Sequence, residues 1–198
     1  SRIPLPVQGM GSASVRGLAH VLPTIELAML AFLVVMNPGA MHHPHLHLRI
    51  VSLTLTAVMS LSNVVSAAKL INGLLDGLVS NDPFTLIRVG GTIWLTNVVV
   101  MALWYWELDR GGASARARNV HDRTDFLFPQ MSSPQFANPN WEPRFLDYFY
   151  FSFTNATAFS PTDVLPLTRW AKLLMILQSI VSLLTVALII ARAINTLR

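Results

Sequence analysis

The chain has 198 residues, of which 53% are hydrophobic and only 12% are charged. A soluble domain usually carries about a quarter charged residues, so this composition argues against a soluble protein and favours lipid as the solvent. The formal net charge of +4 is spread over loops and helix ends without a basic face, so nucleic acid is not expected as a partner.

Four apolar runs are long enough to cross a bilayer, whose core of about 30 Å needs roughly 20 helical residues. The runs cover residues 18–36, 48–75, 84–106 and 170–194. The first run ends at Asn37-Pro38-Gly39, a sequence that breaks helices. We therefore expect an all-α integral membrane protein with four transmembrane helices, preceded by an N-terminal segment over residues 1–17.

The second and third spans carry polar and aromatic residues in patterns typical of membrane helices. Small polar residues share one face of the second span: Ser52, Thr56, Ser60 and Asn63. Such residues suit close helix contact and interhelical hydrogen bonds in lipid, so this face is expected to contact protein. The third span ends in Trp104-Tyr105-Trp106, which is typical of the aromatic belt at a membrane interface.

The region between the third and fourth spans has two unlike halves. Residues 107–143 are rich in Pro, Gly, Asn and Arg and are interpreted as a solvent-exposed loop. Residues 145–159 are aromatic and apolar, but they are too few to cross the membrane as a helix. A short apolar helix followed by irregular backbone between two spans is the outline of a re-entrant pore segment, because non-helical backbone at membrane depth must be buried in protein or line water.

The residues after this short helix carry a motif. Residues 154–173 resemble the pore loop of two-span bacterial potassium channels, whose pattern reads T-x-T-T-V-G-Y-G-D-x-x-P-x-T-x-W-G-R. Six residues match in register without a gap: Thr157, Asp163, Pro166, Thr168, Trp170 and Lys172. The resemblance covers about residues 94–197. It implies a homotetramer around a central axis, with residues 84–198 as the pore module and residues 18–83 as two peripheral helices.

The filter itself departs from that pattern. Where the family has V-G-Y-G, this chain has Phe159-Ser160-Pro161-Thr162. A potassium filter aims successive backbone carbonyls at a dehydrated ion, and its glycines allow positive φ angles that Ser160 and Thr162 adopt only with strain. Pro161 fixes its own φ near −65°. The predicted filter is therefore not expected to bind a column of dehydrated potassium ions; it comprises Thr157, Ala158, Phe159, Ser160, Pro161, Thr162 and Asp163.

Three functions remain open for such a pore. The first is a wide, hydrated pore that passes cations with little discrimination. The second is a pore that favours anions through hydroxyl donors, and the third is a closed pore. Helix dipoles and an acidic ring at Asp163 favour cations, whereas arginines in the long loop favour anions. The leading hypothesis is an ion channel that passes monovalent inorganic ions with altered selectivity, and the alternative is a non-conducting membrane scaffold or accessory subunit.

Polar residues of the fourth span are candidates for the cavity or gate of such a pore. In the family the helix after the filter carries a glycine near its middle, and in gapless register that position is Ser182. The candidates to line the cavity are Ser179, Ser182 and Thr185. The alternative is that their hydroxyls bond the preceding turn or a neighbouring helix.

Signals for metal binding and for catalysis are weak. The cluster His42, His43, His45 and His47 has imidazoles at metal-binding spacing, but neither a carboxylate nor a cysteine lies nearby in the sequence. There is no Ser-His-Asp order, glycine-rich phosphate loop or pair of catalytic carboxylates. We therefore expect neither an enzyme nor a bound cofactor.

The location of the chain follows from the resemblance. A pore loop that faces outside implies a multi-pass plasma-membrane protein with both termini in the cytoplasm. That orientation places six basic residues inside and eight outside, so the positive-inside rule gives it no support.

Overall fold

A computed structural model of the protein describes residues 46–75, 83–116, 123–139, 141–158 and 163–196. The described chain is mostly helical, and three of its helices are long and apolar enough to span a membrane. These candidate spans are Arg49–Leu74, Phe84–Gly111 and Arg169–Ala191. They correspond to the second, third and fourth predicted spans, which confirms the helical fold and is consistent with a membrane protein. The first predicted span and the histidine cluster lie outside the described residues.

The helices and strands follow one another along the chain as follows. The long helices α1 and α2 cover Leu46–Leu75 and Pro83–Leu108, and a 3-10 turn at Asp109–Gly111 leads into the short helix α3, Ala113–Arg116. Next come strand β1 at Phe126–Leu127, helix α4 at Pro129–Ser132 and a 3-10 turn at Pro134–Phe136. Helix α5 covers Phe145–Ala158, strand β2 covers Leu165–Pro166, and helix α6 covers Arg169–Thr196.

The polar stripe of α1 faces α2, which confirms the prediction that it contacts protein. Ser52, Thr56 and Asn63 are buried. Ser52 Oγ donates to Glu107 Oε1 over 3.0 Å, and Trp104 Nε1 donates to Ser60 Oγ over 2.7 Å. Hydrogen bonds of this kind join helices in a solvent that offers no other partner.

Two of the three aromatic residues at the end of α2, Tyr105 and Trp106, do not belong to a belt at the membrane interface, so that interpretation was wrong for them, whereas Trp104 is half-buried. Tyr105 is fully buried and Trp106 is 7% exposed. Their rings pack inside the bundle, Tyr105 against Phe126 and Phe151, and Trp106 against Phe145. The tertiary partners of these rings, which lie far away in sequence, decide their direction.

The opposite end of the bundle is held by apolar packing. Leu70 and Leu74 of α1 cluster with Leu86 and Ile93 of α2, and partly buried side chains of α6 complete the cluster. A Cβ atom at Gly90 of α2 would overlap Ile189 Cδ1. The glycine therefore allows α2 and α6 to approach closely, as small residues do in membrane helix pairs.

Helix α5 lies beside the C-terminal half of α2. The ring of Phe145 packs on Trp106 at a centroid distance of 5.8 Å, and that of Phe153 packs on Trp94 at 5.6 Å. The two helices therefore run antiparallel, and α5 ends near the middle of α2. Its 14 residues extend about 21 Å, which is shorter than a bilayer core.

The chain then returns to the end where α5 began. Strand β2 pairs antiparallel with β1, with Phe126 opposite Pro166 and Leu127 opposite Leu165. Trp170, in the first turn of α6, packs its ring edge-to-face on Phe126 at 5.6 Å. We call this end of the bundle, formed by the last turn of α2, the first turns of α5 and α6, and the paired strands, the loop end.

Candidate functional site

A group of buried polar side chains lies where α2, α5 and α6 meet, and we call it the amide network. Its members come from all three helices and are at most 5% exposed. They are Asn97, Tyr105, Ser152, Asn155, Gln178 and Ser182. A buried polar group without a partner is costly in an apolar surrounding, so their hydrogen bonds constrain how the helices pack.

Gln178 is at the centre of this network and uses the full hydrogen-bonding capacity of its side-chain amide. Its Oε1 accepts from Tyr105 OH over 2.7 Å and from Asn155 Nδ2 over 2.9 Å. Its Nε2 donates to Ser152 O over 2.9 Å and to Ser152 Oγ over 2.7 Å. A primary amide has two donors and two acceptor sites, and all are occupied here.

The other members extend the network to the backbones of the same helices. Asn97 Nδ2 donates to Ser182 Oγ over 3.0 Å and to Gln178 O over 3.2 Å. Ser152 Oγ donates to Val98 O over 2.7 Å, and Asn155 Nδ2 donates to Met175 O over 3.2 Å. Each of the three helices therefore has a side chain that is hydrogen-bonded to one of the other two. These bonds fix the position of α5 along α2 and α6.

A second polar cluster, the loop-end anchor, ties the region after α2 to α5 and α6. The fully buried carboxylate of Asp109 accepts from Tyr148 OH over 2.6 Å and from the backbone N–H of Asp125 over 2.9 Å. Asp125 in turn accepts from the N–H of Arg110 and from Trp170 Nε1, both over 3.0 Å. Charge-assisted bonds of this kind are about twice as strong as neutral ones.

Arg116 completes the loop-end anchor. Its Nη1 donates to Trp106 O over 2.6 Å and to Asp109 O over 2.8 Å, and its guanidinium lies 5.2 Å from the centroid of the Tyr148 ring. These carbonyls lie in the last turn of α2 and in the 3-10 turn that follows it, where a cation complements the helix dipole. Arg116 is thus a buried contact of the bundle and not part of a solvated basic surface.

Of the residues that match the potassium-channel pattern, Pro166 and Trp170 lie at the loop end, whereas Thr157 lies in the last turn of α5, away from it. Trp170 donates to Asp125, and Pro166 pairs with Phe126. Asp163 and Lys172 are exposed. The acidic partner of Trp170 is therefore Asp125 of the preceding loop, whose contact was not foreseen from the sequence.

The predicted filter is described only at its two ends. Thr157 is exposed in the last turn of α5, where its Oγ1 donates to Phe153 O over 2.9 Å and to Thr154 O over 3.1 Å, and Ala158 is the last residue of the helix. Residues 159–162 lie outside the described part of the chain. The filter geometry stays a prediction.

The α6 residues predicted to line a cavity are partly or fully buried within the chain itself. Ser182 is 1% exposed and accepts from Asn97, and Thr185 is 2% exposed with its Oγ1 donating to Val181 O over 2.7 Å. Ser179 is half-buried. A role of these side chains in lining a cavity stays a prediction, and the burial of Ser182 and Thr185 does not support it. Both hydroxyls bond in the two ways given above as the alternative.

The sequence analysis did not predict the hydrogen bonds of Gln178, Asn155 and Asp109. The available signal was the presence of amides within apolar spans, because such groups need partners in lipid.

Among the described residues, no three His, Cys, Asp or Glu side chains are grouped so as to hold a metal ion. A comparison with protein-family models, curated proteins and solved structures finds no match for this chain.

Proposed function

We propose that the chain forms the pore of an ion channel, in which α2, α5 and α6 serve as the outer helix, the re-entrant pore helix and the inner helix. The channel conducts monovalent ions without the selectivity of a potassium filter. Four copies surround one axis in this proposal, and both the number of copies and the plasma-membrane orientation come from the sequence resemblance.

One observation carries the proposal: the segment that contains α5, between the candidate spans α2 and α6, starts and finishes at the same end of the bundle. Helix α5 begins beside Trp106 and ends near Trp94, and Pro166 is back beside Phe126 at the loop end. A half-length helix that turns back at membrane depth needs protein or water around the turn. Pores of the re-entrant class meet this need with neighbouring subunits and a water-filled axis.

The exposed surfaces of α5 and α6 agree with contact between copies. Helix α5 exposes Leu146, Tyr150, Phe153 and Thr157 along one face. Helix α6 is the least buried of the three candidate spans: 22% of its most apolar stretch is buried, against 50% for α2. Two surfaces around the turn are thus left open in the single chain, where a neighbouring copy would cover them.

Purified protein in planar bilayers tests the channel proposal. Under a potassium chloride gradient we expect a macroscopic current whose reversal potential changes little when sodium replaces potassium. A large anion in place of chloride distinguishes the sign of the permeant ion, since a cation pore keeps its reversal potential. A reversal potential that follows potassium against sodium would contradict the altered selectivity, and reproducible silence would contradict the channel.

A second candidate is the non-conducting scaffold, and one observation favours it. The exposed side chains of α6 between residues 173 and 191 are all apolar. A pore lined by such a helix is a hydrophobic constriction, and constrictions of this kind stop conduction by dewetting. Silence of the wild-type protein, together with a current from a variant with a serine on this surface, would favour a closed channel over a scaffold.

A further inference from the structure

We propose that Gln178 is the positioning residue of the pore loop: its amide holds the C-terminal half of α5 at a fixed depth and thereby sets where the conducting backbone begins. The inference rests on the channel function proposed above. It assigns to one buried side chain of α6 a role that neither the filter motif nor the cavity candidates supplied.

The contacts of Gln178 are concentrated near the end of α5 that leads into the predicted filter. It bonds Ser152 and Asn155, and Asn155 is two residues before Thr157. The opposite end of α5 has its own attachment, from Tyr148 OH to Asp109. Loss of the Gln178 amide therefore weakens the attachment of this half of α5, which keeps the bonds of Ser152 to Val98 O and of Asn155 to Met175 O, while the loop end stays fully bonded.

An apolar replacement of similar size separates hydrogen bonding from packing. Gln178→Met keeps the length of the side chain but leaves Tyr105 OH without its acceptor and Asn155 with one fewer. The matched control is Leu177→Met, because Leu177 is the preceding residue of the same helix and is 57% exposed. A role in positioning predicts an effect of the first variant and none of the second.

A carboxyl at the same position adds a reversible test. The neutral form of the carboxyl in Gln178→Glu donates one hydrogen bond and accepts from Tyr105 and Asn155, whereas the ionised form donates none and faces Ser152 O. Acidification converts the ionised form into the neutral one, so one variant allows both hydrogen-bonding patterns to be compared. Tyr105 is the titratable group among the described side chains bonded to Gln178, and an ordinary phenol stays neutral up to about pH 10.

Hydrogen–deuterium exchange of the protein in lipid nanodiscs measures the positioning without any current. In Gln178→Met we expect amides in the C-terminal half of α5 to exchange about tenfold faster or more, because that end opens locally. Exchange in α1 and in Leu177→Met is expected to remain at the wild-type rate. Unchanged exchange in α5 would overturn the proposal, and so would an equal rise in every helix, which would make Gln178 a residue of general stability.

Reversal potentials and pH link this position to conduction. Gln178→Met is expected to shift the reversal potential under mixed-ion conditions at every pH, and Gln178→Glu to return to the wild-type value on acidification. A conducting wild type with both variants unchanged would overturn the role of Gln178 and leave the channel standing. A silent wild type would contradict the channel, and the exchange of α5 would then still decide whether Gln178 positions the helix.

Discussion

Three successive residues after α2, Arg110, Gly111 and Gly112, have positive φ angles of 50°, 78° and 95°. The left-handed region disfavours residues with a Cβ, so Arg110 is strained where its two neighbours are not. The turn they form lets Arg110 N–H reach the carboxylate of Asp125. The backbone of this turn thus contributes one hydrogen-bond donor, Arg110 N–H, to the loop-end anchor.

Exchanging the residue types in this turn gives opposite effects on stability. Arg110→Gly is expected to raise the free energy of unfolding by up to about 1 kcal/mol, since strain is relieved and the side chain's hydrogen bond goes to Met131 Sδ, a weak thioether acceptor. Gly112→Ala is expected to lower it by roughly 1–3 kcal/mol, because a Cβ there would lie 2.8 Å from Glu107 O. Thermal unfolding in detergent measures both, and a loss of stability in Arg110→Gly would contradict the strain argument.

Among the elements, α2 makes the most extensive contacts, because it packs against α1, α5 and α6 along its length. Adjacent glycines on this helix provide a matched pair of sites. A Cβ at Gly90 would overlap Ile189, whereas a Cβ at Gly91 would meet no heavy atom within 4 Å. The two positions share their local backbone and differ only in what lies opposite.

Alanine at these two glycines tests the contact between α2 and α6. Gly90→Ala is expected to destabilise the protein by roughly 1–3 kcal/mol, because Ile189 must change rotamer or the helices must separate. Gly91→Ala is expected to be neutral or slightly stabilising, since alanine is the better helix former. Thermal unfolding in the same detergent compares the two, and equal effects would refute the close approach at Gly90.

The contact between the loop and α6 is tested by a double-mutant cycle on Asp125 and Trp170. Asp125→Asn removes the charge of the acceptor and Trp170→Phe removes the donor of the bond from Trp170 Nε1 to the carboxylate. We expect a coupling free energy on the order of 1 kcal/mol between the two substitutions, measured by unfolding. Additive effects would mean that the bond does not fix β1 and β2 to α6.

The sequence predicted these elements better than their contacts. The three described spans and α5 were located by hydrophobic length, and the stripe of α1 by its helical spacing, since both are local signals. The bonds from Tyr105 to Gln178 and from Trp170 to Asp125 join residues 73 and 45 positions apart, and a local pattern holds no information on such pairs. For the same reason, Tyr105 and Trp106 were interpreted as a lipid-facing belt.

At the scale of the whole molecule, the apolar exposed surface of α6 predicts that polar substitutions facing the pore axis let water enter the proposed pore. Single serine substitutions at Ile176, Ile180, Leu183 and Leu184 are expected to raise single-channel conductance or open probability only where the side chain faces the axis. Those that face lipid or a neighbouring copy are the internal controls. Recordings in planar bilayers compare the four, and uniform lack of effect would exclude a hydrophobic gate on α6.

The amide network also bears on the order of events during biogenesis. The hydrogen bonds of its side chains join α2, α5 and α6 of one chain and occupy every donor and acceptor site of the Gln178 amide, whereas the exposed surface of α6 is apolar. A newly inserted chain is therefore expected to reach its own fold before it meets another copy. In the tetramer proposed above, folded subunits would then associate through dispersion and lipid release, so that mild detergents are expected to separate the copies without unfolding them.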